Sequence, residues 1–140
     1  MLSITRIALA ATAVVFLGAV SSPASANEAE DKATCAEADA RYKELFGDQK
    51  LPPNTVVVTT YNYRFCPPSI TVKAGTTVRW INVDKRTSHS VWLKEAGKEE
   101  STRFFPEESW EIMFDEPGKY PYLCGPHWDQ EKMIGTVTVE

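Results

Sequence analysis

The sequence predicts an all-β protein, built as a sandwich or barrel, that carries a short helical extension at its N-terminus. After Pro53 the chain divides into about seven short runs rich in β-branched and aromatic residues, separated by Gly, Pro and Asp, a spacing typical of this class. Strands do not alternate with helices, so a βαβ arrangement is not expected. Before Pro52 alanine becomes frequent and the apolar residues follow a helical spacing instead.

The first 26 residues are expected to be a cleaved signal peptide, and the rest of the chain to be exported to the periplasm. Arg6 is their only charge, an apolar stretch runs from Ile7 to Val20, and Ala24-Ser25-Ala26 has the small-x-small pattern of a cleavage site. The apolar stretch is shorter than a membrane span. Cleavage would leave 114 of the 140 residues, enough for one domain at residues 54–140 after an extension at residues 27–53.

The secondary-structure elements are predicted in order along the rest of the chain. Residues 27–46 form a helix that Gly47 ends and that Pro52 keeps from resuming, and the first of them, residues 27–32, are expected to be frayed. Residues 94–103 are charged and contain Gly, so a solvated loop is expected there. Strands are predicted at residues 55–61, 69–73, 76–83, 88–93, 110–114, 120–124 and 134–139.

The connection between the last two predicted strands contains the most informative residues. Cys124, His127 and Met133 supply a thiol, an imidazole and a thioether within ten residues, and His89 lies 35 residues before Cys124. Soft sulfur ligands together with imidazole suit copper, and two His, one Cys and a weaker Met form the type 1 copper set. Each residue alone has an ordinary alternative, as a buried thiol, a surface histidine or a core methionine. The joint pattern uses both histidines of the chain and favours the metal site.

Two longer motifs surround these candidate ligands. They read Gly118-x-Tyr120-x-Tyr122-x-Cys124-x-Pro126-His127, and Val78-x-Trp80-x-Asn82-x-Asp84 followed by Ser88-His89-Ser90-Val91. Over residues 55–140 they make the sequence resemble the cupredoxins, small copper proteins of the plastocyanin, pseudoazurin and amicyanin type, which implies a cupredoxin-like Greek-key β-sandwich or barrel with one copper ion. The loop of five residues between His127 and Met133 is longer and more polar than is usual in that family, and residues 27–53 are an addition to its common fold.

The resemblance also implies a role for each candidate ligand. Cys124 as a thiolate would make the strongest bond to copper, and His89 and His127 would complete the equatorial set. Met133 would lie at the axial position at longer range, with a displaced Met133 or a backbone carbonyl as the alternative there. His127 would be the ligand nearest the surface and the exit for the electron.

Four further residues are expected beside the metal. Asn82 and Ser90 would pin the upstream ligand loop by hydrogen bonds, or would serve only the chemistry of the turns. Pro126 lacks an N–H group and would keep one side of the site drier. Trp128 would form an apolar docking rim or would cap the loop.

Three cysteines in an exported chain predict one disulfide and one cysteine with another role. With Cys124 assigned to the metal, Cys35 and Cys66 remain for a bridge that would close a loop of about 32 residues and contribute roughly 3–4 kcal/mol. The bridge would fasten the helical extension to the sandwich. Metal ligation by this pair is the alternative, but no histidine remains to join them.

The expected function is one-electron transfer between redox partners, performed by a monomer. The formal net charge is −4 at pH 7 and the chain has no basic cluster, which argues against nucleic acid as a partner and favours redox proteins with basic patches. A periplasmic protein of copper handling or copper tolerance is the alternative. An enzyme is not expected, because a further copper centre needs histidines that the chain lacks, and a closed zinc site would not normally include Met.

Overall fold

The computed structural model describes residues 23–140, with side-chain surroundings from residue 27 onward. The predicted signal peptide lies outside these residues apart from its last four positions. No helix in the described part of the chain is both long and apolar enough to cross a membrane. The elements are α1 (Pro23–Phe46), β1 (Thr55–Tyr61), β2 (Arg64–Cys66), β3 (Ser69–Val72), β4 (Thr76–Asn82), a short 3-10 helix (Lys94–Ala96), β5 (Ser109–Phe114), β6 (Gly118–Leu123) and β7 (Ile134–Val139).

The strands form two sheets around a shared core, which confirms the predicted all-β sandwich with an N-terminal helical extension. One sheet has the strand order β2-β1-β4-β5 and the other has the order β3-β7-β6. The pairs β1–β4 and β3–β7 are parallel, and the remaining pairs are antiparallel. The two parallel pairs join strands that are distant in the sequence, so neither sheet is a simple chain of hairpins.

The main core lies between the two sheets. Val78 and Trp80 of β4 belong to one buried cluster with Tyr122 of β6 and Val137 of β7. The rings of Trp80 and Tyr122 meet edge to face with their centroids 5.1 Å apart, a favoured aromatic arrangement. Because Tyr122 and Cys124 are two residues apart and so point to the same side of the chain, this packing also draws Cys124 into the core.

Helix α1 packs on the opposite face of the four-stranded sheet. Ile81 of β4 points away from the main core and joins a second buried cluster with Ala38 of the helix. The small side chain of Ala38, which is fully buried, allows the helix to lie close to the sheet. A disulfide between Cys35 and Cys66 links α1 to β2 with a Cα–Cα distance of 5.1 Å.

Three elements differ from the sequence prediction. Residues 88–93 are not a strand, because His89 bridges to Phe104 whereas Trp92 bridges to Leu123, so the segment changes partners as it crosses between the sheets. Strand β2 is not predicted, since its three residues are too few to form a pattern. Residues 27–32 are helical rather than frayed.

Candidate metal centre

Three of the predicted ligands meet at one end of the sandwich. The Sγ atom of Cys124 lies 3.7 Å from Nδ1 of His89 and 3.4 Å from Nδ1 of His127. One ligand atom from each of these residues can be chosen so that all three lie within 4.8 Å of one another. His89 and Cys124 are fully buried, and His127 is partly exposed.

The loop that follows β6 carries Cys124 and His127 in a tightly hydrogen-bonded turn. The amide of His127 donates to the carbonyl of Cys124 at 3.0 Å, and the amide of Trp128 donates to the same carbonyl at 2.8 Å. The loop closes at Met133, whose carbonyl accepts from the Cys124 amide at 3.0 Å and whose amide donates to the His127 carbonyl at 3.3 Å. We call residues 124–133 the ligand loop.

Met133 is fully buried within the main core cluster, together with Cys124. Its backbone bonds hold it beside both Cys124 and His127 despite the long intervening segment. The fourth predicted ligand therefore lies at the same end of the fold as the other three.

The sulfur of Cys124 is buried and contacts hydrogen-bond donors of Ser90. The amide of Ser90 donates to Sγ at 3.4 Å. Burial raises the pKa of the Cys124 thiol, and the hydrogen bonds from Ser90 partly oppose this effect. The pKa of His127 is lowered, first by burial and then by electrostatic interactions with His89 and Arg103.

Asn82 and Ser90, two of the four residues expected beside the metal, both tie segments together. The Nδ2 atom of Asn82 donates to the carbonyls of Thr87 at 2.7 Å and Phe104 at 3.1 Å. The hydroxyl of Ser90 donates to Oε1 of Glu100 at 2.6 Å and accepts from the amide of Gly125 at 3.0 Å. These contacts connect the His89 segment to its neighbours and to the ligand loop, which goes beyond local turn chemistry.

The two residues that flank His127 lie at the surface. Pro126 is exposed, and 43% of the surface of Trp128 is accessible to solvent. The Nζ atom of Lys94 lies 5.9 Å from the centre of the Trp128 ring, so a cation is within cation–π range of this side chain.

Sequence reasoning missed two residues that contact the histidines. Oδ2 of Asp84 lies 2.6 Å from Nε2 of His89, and the ring of Tyr63 packs edge-on against His127 with centroids 4.9 Å apart. Asp84 stands inside the upstream motif, but nothing in its spacing assigns it to the histidine. Tyr63 lies 64 residues before His127, so no local pattern connects the two.

The chemistry of this donor set fits a soft, thiophilic metal ion. One buried thiol and two imidazoles converge, and a buried thioether lies beside them, whereas Mg²⁺ and Ca²⁺ sites use oxygen ligands. The Asp84 carboxylate contacts the far nitrogen of His89, an arrangement that fixes the ring of metal-binding histidines. The residues present therefore fit copper.

Comparison with known proteins identifies similar chains. Residues 54–140 match the family model for copper binding proteins of the plastocyanin/azurin family. The chain is 32% identical over 93 residues to an amicyanin of Paracoccus versutus, an alignment covering 64% of this chain and 68% of the relative. It is 38% identical over 85 residues to a plastocyanin of Scenedesmus fuscus, covering 54% and 86% of the two chains.

A solved structure has the same fold over the matched region. The crystal structure of amicyanin from Paracoccus versutus superposes with a TM-score of 0.56 at 32% sequence identity. The match covers 65% of this chain and 86% of the amicyanin chain.

Proposed function

The chain belongs to the plastocyanin/azurin family of copper-binding proteins, and on that premise we propose that it is an exported, periplasmic carrier of single electrons. In this proposal one type 1 copper ion is bound by His89, Cys124, His127 and Met133. The observation that carries it is the approach of two imidazole nitrogens to the Cys124 sulfur, at 3.7 and 3.4 Å, in a family of copper-binding proteins. Similarity to amicyanin and plastocyanin supports electron transfer as the use of this copper.

The protein would contribute a rigid and largely dry coordination site. When bound, copper supplies one-electron chemistry by alternating between its +1 and +2 states. Cys124 and His89 are fully buried and Ser90 donates to the sulfur, so the ligands are held in place before the metal binds. A fixed ligand geometry keeps the rearrangement that accompanies each electron transfer small, which favours fast exchange.

Electrons would enter and leave through His127, the candidate ligand that reaches solvent. The exposed ring of Trp128 and the exposed Pro126 flank it and would provide an apolar docking rim. The net charge of the chain is −4, so redox partners with basic patches would be attracted at low ionic strength. We propose that the carrier acts as a monomer.

A role in copper tolerance has less support. Residues 27–53 contain neither His nor Met, and in the structure they begin with a helix packed on the sandwich rather than a segment rich in metal ligands. A gene deletion measured across a copper series separates the roles. Loss of an electron-transfer pathway at ordinary copper levels supports the carrier, and copper sensitivity with that pathway intact contradicts it.

The copper site itself can be tested by spectroscopy. The copper(II)-loaded protein should show an intense visible thiolate-to-copper absorption, and Cys124→Ser should abolish it. The double variant Cys35→Ser/Cys66→Ser is the matched control, because it removes two cysteines but keeps Cys124, and it should retain the absorption. A copper-loaded wild-type protein without this band would contradict the type 1 assignment.

A further inference from the structure

The turn between β1 and β2 has an unusual backbone. Asn62 and Tyr63 have φ angles of 45° and 59°, as a two-residue turn of type I′ requires. Asparagine adopts the left-handed region readily, but a bulky residue such as tyrosine does so only at a conformational cost. A cost of this kind persists where surrounding contacts hold the residue in place, and often at functional sites.

This turn contacts the segments that carry both histidines. The amide of Asn62 donates to Oδ1 of Asp84 at 3.2 Å, and the other carboxylate oxygen of Asp84 contacts His89. On the other side, the left-handed backbone of Tyr63 directs its ring to the edge-on contact with His127. The turn therefore spans the site from one histidine to the other.

Arg64, the next residue, joins the turn to the ligand loop and to the helix. Its Nη1 atom donates to the carbonyl of Glu131 at 3.1 Å, and its Nε atom donates to Oδ1 of Asp31 on α1 at 2.7 Å. A guanidinium group can make both contacts at once, because its donors are arranged in a fixed planar fork. One side chain thus connects three segments that are far apart in the sequence.

The helix and the strand are linked at two matched positions. Asp31 and Cys35 are four residues apart on one face of α1, about 6 Å along its axis. Their partners, Arg64 and Cys66, are two residues apart on one face of β2, also about 6–7 Å. The ion pair and the disulfide therefore align the helix with β2 as two neighbouring cross-links.

The ligand loop has a particular need for support. Five residues separate His127 from Met133, the three just before Met133 are exposed, and Lys132 has a φ angle of 56°. The contact from Arg64 reaches the carbonyl of Glu131, near the middle of this exposed stretch. This hydrogen bond ties the ligand loop to β2, whereas the loop's own backbone hydrogen bonds join residues of the loop to one another.

We propose that α1 braces the metal centre, and that Arg64 is the positioning residue that transmits its support to the ligand loop. Asp31 and the disulfide hold β2 against the helix, Arg64 fixes the Glu131 carbonyl, and the strained Tyr63 supports His127. This role rests on the proposed function only in taking residues 124–133 as the loop that binds the metal. It gives the N-terminal extension a function in the site rather than one in stability alone.

Amide hydrogen exchange in the metal-free, full-length protein tests the brace directly. Arg64→Ala should accelerate exchange at the amides of Glu131 and Met133 about tenfold, since a hydrogen bond from a charged group is lost there. Asp31→Ala, which leaves the Arg64–Glu131 contact possible but removes the acceptor for the Nε atom of Arg64, should accelerate exchange at the same amides at least about threefold. The Arg64–Asp31 pair is partly exposed, so neither variant should alter global unfolding greatly.

Arg79→Ala is the matched control, because Arg79 forms an ion pair with Glu111 on β4 and β5, away from the ligand loop. Faster exchange in the Asp31 and Arg64 variants but not in the Arg79 variant supports the brace. Equal exchange at Glu131 and Met133 in the Asp31 and Arg79 variants overturns it, whether or not the Arg64 variant folds.

The copper-loaded Asp31 variant should also show a shifted thiolate-to-copper band. If the copper-loaded wild-type protein lacks that band, the copper proposal fails, but the exchange rates still test whether α1 braces the ligand loop.

Discussion

Asp84 and His89 form a carboxylate–histidine pair in which Oδ2 and Nε2 are 2.6 Å apart. The pair orients the ring so that Nδ1 faces the sulfur of Cys124, 3.7 Å away. The tautomer of His89 that donates Nε2–H to the carboxylate leaves the lone pair of Nδ1 available to a metal ion. The same carboxylate accepts from the amide of Asn62, so the ring orientation depends on the β1–β2 turn as well.

Replacing Asp84 by Ala should weaken metal binding by about tenfold to a hundredfold, because the His89 ring loses the partner that fixes its orientation and tautomer. A competition titration against a chelator of known affinity measures the effect. Asp115→Ala, at an exposed position just beyond β5, is the control and should bind normally. Unchanged affinity in the Asp84 variant would show that the pair has no role in the site.

Met133→Leu should leave the fold intact and shift the reduction potential upward. The two side chains have similar volumes, so the loss of stability should be below about 1.5 kcal/mol. An axial donor stabilises copper(II) more than copper(I), so the removal of such a donor favours the reduced state. Voltammetry of the copper-loaded protein measures the shift. Met113→Leu, at an exposed position on β5, is the control, and equal potentials in both variants would mean that Met133 is not axial.

The disulfide should contribute substantially to the stability of the fold. Cys35 and Cys66 are 31 positions apart, and a loop of this size corresponds to roughly 3–4 kcal/mol of unfolding free energy in the chain-entropy estimate. Chemical denaturation of the metal-free Cys35→Ser/Cys66→Ser variant should therefore show a lower midpoint than wild type. A midpoint equal to that of wild type would indicate that the link constrains neither the folded nor the unfolded chain.

Metal binding should release the proton of Cys124 and strengthen as the pH rises. Burial raises the pKa of this thiol, so the metal-free protein holds a neutral thiol at pH 7, and the metal must displace its proton. The pKa of His127 is lowered from 6.5, so this group is already neutral there and releases no proton. At pH values below the pKa of the thiol, the release of this one proton should make the affinity for the metal rise about tenfold per pH unit.

Calorimetric titration in buffers of different ionisation enthalpy counts the protons that leave. The same titration with Cys124→Ser supplies the comparison, since serine has no proton to lose in this range. Equal affinities for the metal at about pH 7 and about pH 8 would contradict a protonated Cys124 thiol in the metal-free state.

Gly135→Ala should be more damaging than Gly125→Ala. A Cβ atom at Gly135 would overlap the ring of Tyr122, which is buried against Trp80 and Phe65 and cannot move freely. We expect the free energy of unfolding to fall by about 1–3 kcal/mol, which is typical of overpacking. A Cβ atom at Gly125 would meet the carboxylate of Glu100, the end of an exposed side chain that can turn away at the loss of one hydrogen bond from Ser90. Thermal unfolding of the two variants compares them, and equal losses would contradict this explanation.

The sequence identifies the candidate ligands because their residue types are rare and chemically distinctive. Two histidines and one cysteine without a partner leave few arrangements, and the structure brings His89, Cys124 and His127 together. Regular strands can be predicted from the sequence equally well. The β-branched alternation of residues 134–139 predicts β7 with the bounds that the structure shows.

Other parts of the site depend on contacts that no local pattern encodes. Arg64 reaches the Glu131 carbonyl across 67 positions of sequence, and its role depends on a three-residue strand that has no periodicity. The segment at residues 88–93 has strand-like composition, but its ends bond to different partners. Tertiary contacts therefore override local propensity there.

The position of β7 has a consequence for the order of assembly. Strand β7 is the middle strand of its sheet, between β3 and β6. Neither neighbour can complete its hydrogen bonds until residues 134–139 are available, and the ligand loop ends at Met133, directly before the same strand. Long-range pairing of this kind forms slowly. A chain that is still being synthesised would therefore have no finished sheet and no copper site until residues 134–139 are free to pair.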